Sequence, residues 1–209
     1  MSVLEECYKQ FGPDQVSVAF NGGKDNIVMI HLVHSFIQKN FADHKRKIQA
    51  LYIKEADPFP EVEEFIRDSM EANNIDLVTI NGPMKEALSQ FLGAKPGIKA
   101  MVLGTRSSDP KSAGQGHFAA TDGDWPKLMR VNPILHWTYD HVWKFIRGLS
   151  LPYPLLYDKG FTSLGSRSNT QPNPNLAFKD DKGHVHYKPA YELHDSSKER
   201  AGRIAKSNV

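Results

Sequence analysis

The chain has 209 residues, 40% hydrophobic and 24% charged, with a formal net charge of +2, a balance that fits one globular core and excludes disordered and fibrous classes. Its 26 Lys and Arg are spread along the sequence beside 24 Asp and Glu, which leaves no electrostatic footprint for a duplex nucleic acid and favours a small anionic partner. The single cysteine, Cys7, excludes an internal disulfide and any paired-cysteine metal centre, and it points to a reducing compartment.

Residues 1–8 lack a positive stretch followed by an apolar one, and no run approaches the ~20 apolar residues that span a bilayer. A cytoplasmic, membrane-free monomer is expected. Strand-like and helix-like segments alternate, which predicts an α/β fold: an open, mainly parallel twisted sheet with helices on both faces, in a single domain over 1–209. Val16–Phe20 reads as the first strand and Asp25 to about Asn40 as a helix, with Ile27, Ile30, His31 and His34 at helical spacing. Ile48–Ile53 is the second strand. After the turn Asp57-Pro58-Phe59-Pro60, Glu61–Asn73 reads as a helix with Val62, Phe65, Ile66 and Met70 on one face.

Ile75–Ile80 is the third strand, Pro83 stands near the first position of a helix to about Leu92, and Ile98–Leu103 is the fourth strand. The Gly-, Ser-, Asp- and Pro-rich stretch from Gly104 to Trp125 reads as a long functional loop. Leu128–Val131 is a fifth strand and Thr138–Leu149 an amphipathic helix bearing Val142, Trp143, Phe145 and Ile146. From Ser150 onward, prolines at 152, 154, 172 and 174 suppress regular structure until a helix near Glu192–Lys206, so 150–209 is expected to lie over the sheet as an irregular cover.

Val16–Phe20 runs into Asn21-Gly22-Gly23-Lys24-Asp25 and then into a helix. A strand that turns through glycines into a helix leaves unpaired N–H groups at the helix start, where the dipole favours an anion. The turn is either an ordinary βα connection or a phosphate cradle. It lacks the spacing and the Ser or Thr of a Walker loop, and it is not GxGxxG. It resembles the PP-loop of the ATP pyrophosphatase and adenylyl-sulfate reductase superfamily, with Asn21 where a serine is usual.

At the end of the fourth strand, Gly104-Thr105-Arg106-Ser107-Ser108-Asp109-Pro110 reads as a capping turn or as a phosphate contact through the arginine's planar fork. Thr121-Asp122-Gly123-Asp124-Trp125-Pro126 puts Trp125 in a polar loop, where its face could meet a ring system. Trp137 is expected in the core. Arg200 and Arg203, three apart on an expected helix, form either a solvated basic face or a clamp for an anion.

In order, NGGKD, GTRxxDP, TDxxWP, NPIxxW, LYxxGxTSLG and ERxGR make the chain resemble the eukaryotic FAD synthase family, the PP-loop FMN adenylyltransferases, from about Val16 to Arg203. The resemblance implies transfer of AMP from ATP to the phosphate of FMN, with FAD and pyrophosphate as products. It implies ATP binding by Phe20, Asn21, Gly22, Gly23, Lys24 and Asp25, with adenine beside Tyr52 and Ile53 and with Gly104 and Arg106 along the nucleotide. Lys24 either adds a charge or faces solvent.

FMN would meet Asp109, Asp122, Trp125 and Arg130, and Arg200 and Arg203 would grip its phosphate. Asn21, Arg106 and Arg200 would act on the reacting groups. Mg²⁺ would be held mainly by substrate phosphates, with no dedicated metal residues. Asn26 replaces a common cysteine and is expected to cap the helix. The alternatives are an ATP-dependent adenylating enzyme using another acceptor, which shares the first motif only, and a flavin-binding module without catalysis. A sulfonucleotide reductase would need a reactive cysteine near the C-terminus, and only Cys7 exists.

Overall fold

The structure is a computed structural model that describes residues 2–41, 43, 47–110, 112 and 114–204. Six strands form one sheet: β1 (Val16–Ala19), β2 (Ile48–Lys54), β3 (Ile75–Asn81), β4 (Ala100–Val102), β5 (Phe118–Ala120) and β6 (Met129–Val131). Their order across the sheet is β3-β2-β1-β4-β6-β5. All neighbours run parallel except β5, which closes the edge antiparallel to β6. The chain moves outward from β1 through β2 to β3 and then returns to lay β4 on the other side of β1. That reversal opens a crevice at the C-terminal ends of β1 and β4, the place where open α/β sheets bind ligands.

The helices are α1 (Val3–Phe11), α2 (Lys24–Asn40), α3 (Pro60–Ala72), α4 (Met84–Ala94) and α5 (Tyr139–Gly148). Strand alternation sorts the core into two layers. Val16, Val18, Ala50, Tyr52, Ala100 and Val102 face one layer, filled by α1, α2, α3 and α5. Leu51 and Met101 face the other with Leu88 and Phe91 of α4, and Ala19, Ile53 and Trp125 pack at its border. Helix α2 is buried at Ile27, Val28, Met29, Ile30, Val33 and Ile37, most of its circumference, because sheet, α5 and cover enclose it.

Pro83 stands at the start of α4 as its N-cap, next to the first helical residue. Two expectations need correction. No helix occupies 192–204; the backbone there makes 3₁₀ turns at Ala190–Glu192 and Ser196–Lys198, and residues 205 and 206 lie outside the described residues. The reason is pairing: Gln171 N–H donates to Gly202 O at 2.9 Å, Ile204 N–H donates to Asn169 O at 2.9 Å, and Thr170 bridges Arg203. Asn26 does not cap α2. Gly23 is the N-cap, and Asn26 Nδ2 reaches back to Ala19 O, tying helix to strand.

The irregular cover is present from Ser150, and it carries a small hairpin of β7 (Ala177–Lys179) and β8 (Val185–Tyr187). Among the described residues, no helix is long and apolar enough to cross a membrane.

Candidate active site

The strand-to-helix turn at the crevice is shaped by its glycines. Gly22 has φ +71°, and a Cβ there would also stand 3.1 Å from both Val62 and Ile66 of α3. Asn21 is exposed, and its Oδ1 accepts from Gly23 N–H at 3.0 Å. Lys24 N–H donates to the Tyr157 hydroxyl at 2.8 Å. The next N–H groups, of Asp25 and Asn26, belong to the first turn of α2 and have no intrahelical acceptor by geometry. They are the dipole-favoured donors for an anion.

Opposite stands the turn after β4. Gly104 lets it approach α2 closely, and Arg106 follows, only 1% exposed. Arg106 backbone N–H donates to Asp109 Oδ2 at 2.8 Å. Its Nη2 donates to Glu199 Oε1 and Oε2 at 2.7 and 2.8 Å and lies 3.6 Å from Asp109 Oδ1. Its Nε lies 2.8 Å from Asp25 Oδ1, a charge contact whose alignment is too poor for a hydrogen bond.

Lys24 completes the cluster. Its Nζ reaches Glu199 Oε1 at 2.5 Å and Asp25 Oδ2 at 3.1 Å, and it lies 5.3 Å from the centre of the Tyr139 ring. The solvent-facing alternative for Lys24 is therefore overturned; the side chain is 4% exposed. A buried ammonium persists only when paired. Burial alone would lower its pKa, but Asp25 and Glu199 outweigh burial and raise it. Burial would likewise lift the Glu199 carboxyl, and Lys24 and Arg106 instead hold it below its ordinary value. Asp109 is raised, chiefly by burial.

The remaining expected residues divide between two flanks. Phe20 is buried beneath the turn. Tyr52 and Ile53 end β2 on opposite faces, and the Tyr52 hydroxyl donates to Glu63 Oε1 at 2.6 Å. On the other flank Trp125 lines a shallow cavity of about 410 Å³ with Lys85, Glu86, Ser89 and Asp124. Asp122 is exposed beside it. Arg130 on β6 donates to Ala120 O at 2.9 Å. Trp137 is half-buried and meets Phe145 edge-on at 5.6 Å.

Arg200 is exposed and Arg203 half-buried; they sit on a turn, not on one face of a helix. Arg203 Nη1 donates to Leu164 O at 2.8 Å. Burial and then Arg200 lower the Arg203 pKa, so the two guanidiniums share one neighbourhood. Two glycines make room for this turn. A Cβ on Gly165 would stand 2.2 Å from Arg203 Nη2, and one on Gly202 would stand 2.3 Å from Gln171 O.

Sequence reasoning missed three residues of this centre. Tyr157 and Glu199 lie inside the LYxxGxTSLG and ERxGR motifs, yet nothing local shows that one holds the strand-to-helix turn and the other bridges Lys24 to Arg106. Tyr139 supports Lys24 from α5 and sends its hydroxyl proton to Ala190 O at 2.7 Å, with no motif to mark it.

A mainly parallel sheet whose reversal point carries a Gly-Gly turn at a helix start defines an α/β protein of the phosphoadenosine phosphosulfate reductase domain type, and that family's model matches residues 15–97 and 81–172. Over 204 residues the chain is 36% identical to a probable FAD synthase of Schizosaccharomyces pombe, covering 96% of this chain and 76% of that protein. The chain belongs to the FAD synthase family.

A probable FAD synthase of Caenorhabditis briggsae is 40% identical over 206 residues, 96% of this chain. This chain spans only 38% of that protein's length. Among solved structures, Candida glabrata FMN adenylyltransferase in complex with FMN and the ATP analogue AMPCPP superposes with a TM-score of 0.90 at 28% identity, covering 96% of this chain and 86% of that one.

Proposed function

We propose that this chain transfers AMP from ATP to the phosphate of FMN, giving FAD and pyrophosphate. The observation that carries the reading is a shared wall. The phosphate turn is bound through Tyr157 and Glu199 to the same C-terminal cover that bears Arg200 and Arg203. In this reading a polyphosphate site and a cationic site for a second anion stand side by side. The likeness to an FMN adenylyltransferase that holds FMN and AMPCPP supports it.

The FMN phosphate has a second pKa near ~6, so its oxygen is already an anionic nucleophile and needs no general base. The protein has to place that oxygen in line with the α-phosphorus, offset the repulsion between two anions and stabilise the leaving pyrophosphate. In this reading the N–H groups at the start of α2 receive the β- and γ-phosphates, and the Asn21 amide faces the α-phosphate. Tyr52 and Ile53 border the adenine. Arg200 and Arg203 hold the FMN phosphate, while Asp109, Asp122, Trp125 and Arg130 shape the flavin side.

Arg106 takes a different part from that expected of a free phosphate ligand. With three carboxylates on its Nε and Nη2 edge, it acts as a strut that sets the two turns of the crevice against each other, with Gly104 following the nucleotide.

Mg²⁺ in this reading travels on the triphosphate. Among the described residues no three His, Cys, Asp or Glu groups form a metal cage, and substrate-borne Mg²⁺ needs at most one or two carboxylates. Both carboxylate oxygens of Asp25 already face Lys24 and Arg106, so in this reading substrate phosphates and water supply the ligands.

Incubation of the purified protein with FMN and MgATP tests the reading. FAD and pyrophosphate are expected in equal amounts, with no pyrophosphate when FMN is omitted. Pyrophosphate release with another acceptor but not FMN would assign the chain to the other adenylating enzymes, and flavin binding without pyrophosphate would make it a binding module.

A further inference from the structure

The segment that carries Arg200 and Arg203 has little regular structure of its own. Its backbone is fixed by the cover: Thr162 Oγ1 donates to Glu199 O at 2.6 Å and Asn173 Nδ2 donates to Lys198 O at 2.8 Å. Gln171 and Asn169 pair with Gly202 and Ile204 in the same way. Those bonds tie the segment to the cover, and none of them relates it to the phosphate turn.

Glu199 makes that second connection. Its carboxylate crosses to the sheet edge and binds Lys24 and Arg106 at once. It sits one residue before Arg200 and four before Arg203.

Charge balance alone does not call for a carboxylate there. Lys24 and Arg106 already face Asp25 and Asp109, two cations against two anions, and Glu199 takes the cluster to a net charge of −1. Lys24 and Arg106 keep the carboxylate ionised, yet an extra anion beside a site for polyphosphate repels that ligand. What the carboxylate supplies in return is registry, since two cations from different strand ends clamp one short side chain whose backbone is itself pinned.

We propose that Glu199 is a positioning residue that registers Arg200 and Arg203 against the phosphate turn, so that the two halves of the site close at the right distance. The inference rests on the FMN reading above. It requires that loss of Glu199 harm the flavin side more than the nucleotide side, because Asp25 and Asp109 still hold Lys24 and Arg106 in place.

The test compares wild type, Glu199→Ala and Glu199→Gln. Glu199→Ala removes charge-assisted hydrogen bonds, so KM for FMN is expected to rise about tenfold while KM for ATP stays within about twofold. Glu199→Gln keeps the length and one acceptor for Arg106, and it should move FMN in the same direction by less. Trypsin should cut after Arg200 and Arg203 about tenfold faster in both variants than in wild type, at a temperature where each remains folded.

Equal rises in the two KM values, or wild-type cleavage rates, would overturn the inference and leave Glu199 a general stabiliser. If Glu199→Ala does not fold, Glu199→Gln carries the comparison. FMN titration followed by flavin fluorescence, together with the proteolysis, needs no turnover. If wild type makes no FAD, the transfer reading fails, and weaker FMN binding with faster cleavage in Glu199→Gln still upholds the positioning role.

Discussion

Gly104, at the end of β4, lies against Asp25 in the first turn of α2: a Cβ on Gly104 would stand 3.0 Å from the Asp25 carbonyl carbon and 3.1 Å from both its carbonyl oxygen and its Cβ. The contact fixes the width of the crevice, because each partner opens one of its two turns. Backbone on the facing side cannot swing away as a flexible side chain would. Gly104→Ala is therefore expected to cost about 1–3 kcal/mol of stability and to lower kcat for FAD formation. Urea unfolding and steady-state kinetics check both. A variant with wild-type stability and activity would show that the two turns move apart freely.

The parallel strands and most helices were legible because apolar spacing switches between period two and period 3.6. Other elements were too short or too local to announce themselves. Helix α1 opens on a capping box in which Ser2 and Glu5 satisfy each other's N–H groups at 3.2 Å, a signal present in Ser2-Val3-Leu4-Glu5 and overlooked. Strand β5 has three residues inside a polar loop, and β7 and β8 have three each. Over 192–204 the expected helix is replaced by turns because residues 169–171 claim its backbone.

At the site, the glycines were readable and the charges were not. Gly22, Gly104, Gly165 and Gly202 each answer a steric demand, and such demands leave a motif. Lys24 and Glu199 are 175 residues apart, and nothing local to either says that one neutralises the other. Arg106 reads as a phosphate ligand from its planar two-donor fork at a strand end, but three carboxylates converge on that fork.

Tyr157 gives a sharper separation of packing from hydrogen bonding. Its ring meets Trp143 edge-on at 5.1 Å and its hydroxyl accepts from Lys24 N–H at 2.8 Å. Tyr157→Phe keeps the ring and leaves a buried N–H without its acceptor, which costs about 1–3 kcal/mol. A lower thermal midpoint and a higher KM for ATP are expected, with the FMN dependence less affected. If the midpoint is unchanged, the N–H has found another acceptor and the turn does not depend on this hydroxyl.

Cys7 offers a test of the core itself. Burial against α2 and the sheet pushes its thiol up to about 12, so almost none is thiolate at neutral pH. The thiolate is the reactive form. A chromogenic disulfide reagent at about pH 8 should leave the native protein unmodified and titrate one thiol after denaturation. Fast stoichiometric reaction of native protein would mean that α1 opens readily.

Glu199 makes the ion cluster sensitive to acid in a direction that follows from its partners. Burial would raise its carboxyl, but Lys24 and Arg106 hold it below the ordinary value of 4.5. The folded state thus binds fewer protons at this site than the unfolded chain does. The resulting stabilisation is complete above 4.5 and drains away as pH falls through that value toward the folded pKa. Asp109, raised mainly by burial, works the other way and regains stability on acidification. Asp25, Tyr139 and Tyr157 face the same cluster and remain in both proteins when wild type is compared with Glu199→Gln, so the difference isolates one carboxylate. Wild type should be the more stable at neutral pH, and its advantage should shrink between about pH 5 and pH 3 in urea midpoints. An advantage that stays constant over that range would mean that the shape of the side chain, not its charge, is what the cluster holds.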